Sequence, residues 1–337
     1  MQSNVPTTTS LAVIGAGSWG TALAVQFARA GHPTTLWGRD KTKMRAMATV
    51  GCNERYLPGV NFPPGLEASA DLHAAVQAAD DVLVVVPSHA FRETLAALLQ
   101  ASPNLSHLAW ATKGFELSTG LLPHQVAAEV FVGNTAFAVL SGPTFAKEVG
   151  SGLPSAMTIA SKDADYCLRL AQSISTDTFR AYTANDIVGV EVGGAVKNAL
   201  AIGAGISDGL GFGANTRIAL LSRGLAEMTR LGIALGGRQD TFMGLSGMGD
   251  LVLTCTDNQS RNRRFGLALA EGKDIDAAQR EIGQVVEGYY AAQAVYEVAK
   301  QHGVEMPIIE QIHAVVHEGK DPRIAVTELM SRPITPE

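Results

Sequence analysis

Lys197 is the residue best placed in this sequence to move a proton. It lies in Gly193-Gly194-Ala195-Val196-Lys197-Asn198-Ala199-Leu200-Ala201, and on a helix its neighbours three and four positions away are Gly193, Gly194, Leu200 and Ala201. All are small or apolar, so the pattern predicts a lone cation on a buried stripe. Burial disfavours the charged form of a lysine and brings it toward proton exchange near neutral pH. Reduction of a ketone, or oxidation of the matching alcohol, needs one such group at the oxygen. Lys113, in Ala111-Thr112-Lys113-Gly114-Phe115, is a second isolated lysine just past a predicted strand, where a cation suits an anionic substrate or its carbonyl. Ser260-Arg261-Asn262-Arg263-Arg264 pairs a serine cap with arginine forks that match phosphate geometry. Asp250, in a glycine-rich loop, is read either as orienting a lysine or a substrate hydroxyl, or as capping the next helix.

A different chemistry is written near the start. Gly15-Ala16-Gly17-Ser18-Trp19-Gly20 follows a predicted strand and opens a predicted helix, the context in which G-x-G-x-x-G binds a dinucleotide. Gly15 permits the tight turn, Gly17 lets the backbone approach a pyrophosphate, and Gly20 lets the helix pack on the strand. The helix terminus then offers N–H groups to the phosphates. After the second strand, Arg39 and Lys41 favour the 2′-phosphate of NADP, while Asp40 would suit the ribose hydroxyl of NAD. Val86-Pro87-Ser88-His89 should also line the cofactor; His89 reads as a catalytic acid or as a capping histidine.

The elements that must hold these groups follow from periodicity. Strand runs are expected at 11–14, 34–37, 82–86, 108–110 and 136–140, with a helix at 18–29 and other helical stretches between them. The alternation predicts an α/β fold, a parallel doubly wound Rossmann-type sheet. Beyond about residue 185 the periodicity turns helical. Ile218, Leu221, Leu225 and Met228 share a face after Asn215 as an N-cap, Ser260, Glu287 and Pro307 open helices, and Gly272, Gly303 and Gly319 close them. The expected division is 1–188 for the dinucleotide-binding domain and 189–337 for an all-α substrate domain, with the boundary at a long helix near 187–205.

With 337 residues, 46% hydrophobic and 17% charged, the chain can build sizeable cores. A net charge of −6 argues against nucleic acid as a partner. The polar N-terminal stretch lacks a signal-peptide pattern, and the longest apolar runs, such as 195–206, look too interrupted to span a membrane. Three scattered cysteines read as reduced thiols of a soluble cytoplasmic protein. His313 and His317 have metal-ligand spacing but no third ligand nearby, so no metal is expected. Ser141 lacks the frame of a nucleophile elbow.

Taken together, the segments Gly15–Leu23, Val86–His89, Ala111–Gly114, Ser141–Ala146, Gly193–Asn198, Gly211–Asn215, Gly249–Leu251 and Asn258–Arg263 resemble the bacterial NAD(P)-dependent sn-glycerol-3-phosphate dehydrogenases, in that family's order. The resemblance implies reversible reduction of dihydroxyacetone phosphate to sn-glycerol 3-phosphate, a step that feeds glycerophospholipid synthesis. It implies Lys197 as the proton acceptor, and substrate contacts at Lys113, Gly142, Thr144, Asp250, Ser260, Arg261 and Asn262. It implies cofactor contacts at Ser18, Trp19, Arg39, Lys113, Ala146, Arg261, Val285 and Glu287. The choice of NADP over NAD rests on the charge of Arg39 and not on the resemblance. A homodimer is the default assembly. Two rivals remain. A ketopantoate-type or β-hydroxyacid reductase would take a carboxylate and have less use for the 260–264 cations; a cofactor-sensing protein without turnover would lack the lone lysine.

Overall fold

The computed structural model describes residues 8–333; most of the polar N-terminal stretch discussed above lies outside them. The chain forms two compact units, Met1–Lys113 with Pro123–Ile187, and Gly114–Leu122 with Val188–Glu337. A single cut near residue 188 does not describe Gly114–Leu122. That segment joins the second unit because Phe115 and Leu122 are buried in the helical core.

The first unit is an eight-stranded sheet of β1 (Leu11–Ile14), β2 (Thr34–Trp37), β3 (Leu66–Ser69), β4 (Asp81–Val84), β5 (His107–Trp110), β6 (Ala136–Ser141), β7 (Ser155–Ser161) and β8 (Phe179–Ala184). Its order is β3-β2-β1-β4-β5-β6-β7-β8, so the chain reverses direction across the sheet between β1 and β4. Such a switch point opens a crevice at the carboxyl ends of the strands. The helices are α1 (Ser18–Arg29), α2 (Lys41–Val50), α3 (Leu72–Gln77), α4 (Phe91–Ala101), α5 (Pro123–Val130), α6 (Ala146–Gly150) and α7 (Ala164–Ile174). β1 and β4 are buried along their whole length, as strands covered on both faces must be.

Two features depart from the sequence reading. The sheet is not wholly parallel, since β7 runs antiparallel to β6. The five residues of α6 span only ~7.5 Å at 1.5 Å per residue, too short for the crossover that a parallel neighbour needs. The chain therefore re-enters the sheet from the end it left. β3, β7 and β8 also escaped detection. β3 (Leu-Glu-Ala-Ser) and β8 (Phe-Arg-Ala-Tyr-Thr-Ala) are edge strands with mixed exposure, and β7 carries Ser and Thr among its apolar residues, so none shows a clean apolar run.

The second unit is helical: α8 (Ile187–Gly209), α9 (Ala214–Ala234), α10 (Asp250–Thr256), α11 (Arg261–Ala270), α12 (Ile275–Ile282), α13 (Glu287–Gln301), α14 (Pro307–His317) and α15 (Pro322–Met330). α8 is the axis of this unit. At 23 residues it is long and apolar enough to cross a membrane, contrary to the sequence expectation, but it is almost wholly buried among the other helices. A mostly apolar helix buried on all sides packs as the core of its unit, with its few charged residues held by partners such as Asp250. α9 begins at Ala214 after Gly213, so Asn215 lies inside the helix and not at its cap. Ile218, expected on the buried face, is 63% exposed, while Leu221 and Met228 are buried.

Candidate active site

In the first unit the glycine turn is built by collision limits. Gly15 has φ +127°, and a Cβ there would stand 2.2 Å from the Val85 carbonyl oxygen. A Cβ at Gly20 would stand 1.9 Å from the Gly15 carbonyl oxygen. These glycines let α1 start directly off the end of β1. Gly17 is different, because a Cβ there would meet nothing within 4 Å. It is the N-cap of α1 and supplies no side-chain acceptor to the first-turn N–H groups. A helix terminus with uncapped donors beside open space fits a pyrophosphate. The Trp19 indole N–H, in the same first turn, is buried with no hydrogen-bond partner and adds an uncommitted donor.

The other expected residues of this unit also follow carboxyl ends of the parallel strands β1 to β6. Arg39 is exposed, two residues past β2. Asp40 is the N-cap of α2; its carboxylate accepts from the Thr42 and Lys43 N–H groups, both at 3.1 Å, and pairs with the Lys43 ammonium at 2.8 Å. The Lys43 and backbone bonds hold its pKa below the usual carboxylate value. Asp40 is thus committed to helix capping, which leaves Arg39 as the unshared charge of the pair. His89 is exposed in a short 3₁₀ turn after β4. Lys113 is half-buried three residues past β5. Gly142 follows β6 and lies so close to β7 that a Cβ would be 2.8 Å from the Met157 Cα. The Thr144 hydroxyl donates to the Gly142 carbonyl at 3.3 Å, and Ala146 opens α6.

In the second unit the reactive groups gather around the middle of α8. Lys197 is 7% exposed and Asp250 1%. The Lys197 Nζ donates to Asp250 Oδ1 at 2.5 Å and to the Thr254 hydroxyl at 2.9 Å. Of the readings of Asp250, the helix cap is excluded, because Gly249 is the N-cap of α10, and the carboxylate holds the lysine. A buried ammonium needs such compensation, and the bonds also fix where its protons point. The geometry comes from Gly193, one helical turn before Lys197. A Cβ there would be 2.3 Å from the Ser246 carbonyl oxygen, so the π-helical turn Leu245–Gly249 can lie directly on α8 and deliver Asp250. Cys255, beside this pair, is fully buried, and that burial pushes its thiol well above the ordinary range. It is an inert filler.

Asn198, next in sequence to Lys197, carries the network onward. Asn262 Nδ2 donates to Asn198 Oδ1 at 2.9 Å, and Asn198 Nδ2 reaches Glu287 Oε2 at 3.4 Å. The Gly288 N–H donates to Asn262 Oδ1 at 2.8 Å. Ser260 caps α11 through a bond from the Arg263 N–H at 3.2 Å, and the Arg261 guanidinium donates to Gln284 Oε1 at 3.1 Å. Two bonded groups thus adjoin along α8: Lys197 with Asp250 and Thr254, and Asn198 with Asn262 and Glu287, while Ser260 and Arg261 stand at the start of α11 beside Asn262 in sequence. Val285 lies in the loop before α13 and is exposed. Thr254 and Asn198 belong to these groups but escaped sequence reading. Their signals were present: Thr254 is one helical turn past Asp250, and Asn198 adjoins Lys197.

His313 and His317 serve packing. His313 stacks on Tyr296 at 4.1 Å and its Nε2 bonds Gln293, while His317 Nε2 bonds the Tyr289 carbonyl. Among the described residues no three His, Cys, Asp or Glu side chains converge.

A buried lysine–carboxylate pair and an arginine-bearing helix terminus in one helical unit, in a chain that also carries a dinucleotide turn, narrow the family. A family model for the NAD-dependent glycerol-3-phosphate dehydrogenase N-terminus matches residues 10–167, and one for its C-terminus matches residues 186–327. The chain belongs to this glycerol-3-phosphate dehydrogenase family. A relative named glycerol-3-phosphate dehydrogenase [NAD(P)+] from Aliivibrio fischeri is 55% identical over 96% of this chain and 94% of its own length. One of the same name from Colwellia psychrerythraea is 53% identical over 96% and 97%. The crystal structure of glycerol-3-phosphate dehydrogenase from Coxiella burnetii superposes with a TM-score of 0.93 at 46% identity, covering 96% of this chain and 99% of that one. Family membership accounts for both halves of the architecture, the Rossmann-type sheet and the helical unit.

Proposed function

We propose that this protein reduces dihydroxyacetone phosphate to sn-glycerol 3-phosphate, reversibly, with NAD(P)H, and that Lys197 is the general acid/base. The observation that carries the reading is the buried Lys197–Asp250 pair with Thr254 on the same helical unit as the Ser260–Asn262 terminus, whose Asn262 bonds Asn198, the residue after Lys197. A bound nicotinamide would supply the hydride for the carbonyl carbon. The Lys197 Nζ gives a proton to the oxygen as its charge develops, and in the reverse direction takes it from the alcohol. Asp250 and Thr254 hold the ammonium in place and stabilise its charged state before transfer. Arg261 and Asn262, at the start of α11, bind the phosphate dianion by charge-assisted bonds and the helix terminus. Lys113, Gly142 and Thr144 complete the substrate contacts.

The glycine turn with Ser18 and Trp19 holds the cofactor's pyrophosphate, and Ala146, Val285 and Glu287 add contacts. Arg39 favours NADP, since Asp40 is engaged as a cap. The reading includes a cytoplasmic homodimer that supplies the backbone for glycerophospholipids. The role of Lys197 is tested by Lys197→Ala, which should lower kcat by about 10³-fold or more while leaving the NADPH dissociation constant within a factor of about two. Loss of NADPH binding in that variant would remove Lys197 from the proton-transfer role.

A further inference from the structure

Asn53 lies in the loop between α2 and β3, and nothing in its sequence context marks it. It is 1% exposed. Its Nδ2 donates to the Ala16 carbonyl oxygen at 3.1 Å and to the Thr21 hydroxyl at 2.8 Å. Its Oδ1 accepts from the Tyr56 N–H at 3.3 Å, and its own carbonyl accepts from the Leu57 N–H at 2.8 Å. Both amide N–H groups are therefore engaged and the amide oxygen accepts one bond, so its orientation is fixed from both ends. The loop behind it is anchored too, by the Phe62 N–H to the Gly51 carbonyl at 2.7 Å.

The two groups that Asn53 holds are the informative ones. Ala16 is the residue between the first two glycines of the turn. In a trans peptide the C=O and the following N–H point in opposite directions within one plane. Holding the Ala16 carbonyl from one side thus aims the Gly17 N–H to the other. Thr21 is the second group, on the first turn of α1; its N–H donates to the Gly17 carbonyl at 2.9 Å. Asn53 thereby ties the peptide plane before Gly17 to the helix that follows it. A buried amide 37 residues away sets the direction of a donor beside the open space at Gly17.

We infer that Asn53 is a positioning residue for the dinucleotide turn, pre-orienting the Gly17 N–H for the cofactor's pyrophosphate. The inference rests on the reading that this turn binds NAD(P)H. Asn53→Asp keeps volume and the acceptor for Tyr56 but sets an oxygen against the Ala16 carbonyl. It should weaken NADPH binding, measured by fluorescence titration, by about 10- to 100-fold. Asn53→Ala and Thr21→Val should each weaken it by about 3- to 10-fold. At saturating NADPH, kcat and KM for dihydroxyacetone phosphate should stay within about twofold in all three. Gly17→Val, run alongside, should abolish NADPH binding; if it binds like the parent, the reading of the turn itself fails. If Gly17→Val loses binding while folded Asn53 variants keep the parent's affinity, the positioning role is overturned and the turn survives. Equal losses for cofactor and ketone phosphate, or failure of all three variants to fold, would also overturn it, because Asn53 would then serve general stability alone.

Discussion

At the level of single residues, the proposed chemistry depends on charges placed where water is scarce. Lys197 and Asp250 are both buried, so each is tolerable only because the other is present. Half of this was legible in sequence. The small-residue stripe around Lys197 pointed to burial, and Asp250 was open to orienting a lysine, but the sequence did not choose between that and a helix cap, nor say that the lysine was Lys197, 53 positions away. Thr254 and Asn198 were hidden for the same reason, since their meaning comes from what α10 and α11 bring against α8. The Ser260 cap of α11 was more legible, because a serine before a helical run needs only local geometry to accept from the Arg263 N–H. Arg261→Ala should raise KM for dihydroxyacetone phosphate by about 10- to 100-fold, the loss expected of a charge-assisted bond, with a smaller effect on NADPH affinity. Steady-state kinetics at fixed saturating NADPH measures this, and an unchanged KM would detach Arg261 from the phosphate.

Among elements, close approach is what assembles the site. The contact between Gly193 and the Ser246 carbonyl lets the π-helical turn rest on α8. Gly193→Ala should force the two apart, with about 1–3 kcal/mol lost in stability and kcat reduced at least tenfold. Chemical denaturation and initial rates would check both, and parental activity would mean that Asp250 is positioned by something else. A second element junction carries a titrating group. Glu227 on α9 is buried, and its carboxylate accepts from the Ile308 and Ile309 N–H groups at 2.8 and 3.2 Å, capping α14. Burial raises its pKa to about 7, with the two backbone bonds and Arg230 acting against that and Glu310 with it. A carboxyl whose folded pKa is raised holds its proton better when folded. Its contribution to stability is therefore present at pH 4–5 and is lost as pH rises toward about 7. Glu227→Gln cannot titrate, so the melting temperature of the parent relative to this variant should fall between pH 5 and pH 8. A constant difference across that range would show that Glu227 does not titrate there. Element existence was readable wherever apolar periodicity was strong, as in α1 and β4. It failed at the polar edge strands β3 and β8 and at the short α6, where topology and not pattern decides direction.

For the whole molecule, the chain separates two tasks into two folding units. One is a switch-point sheet whose strand ends carry the dinucleotide turn. The other is a helical unit built on α8, which carries the lysine pair and the arginine-bearing terminus. The class of each unit was legible because a change of hydrophobic period near residue 185 survives any uncertainty in single elements. The return of Gly114–Leu122 to the second unit was not, since two buried apolar side chains in a loop carry no periodic signal. The reaction is tested by the initial rate on dihydroxyacetone phosphate, with NADPH and NADH in parallel and ketopantoate as the competing substrate. The account predicts turnover of dihydroxyacetone phosphate with a higher kcat/KM for NADPH than for NADH, and none of ketopantoate. Turnover of ketopantoate alone, or NADPH binding without turnover of either ketone, would contradict it.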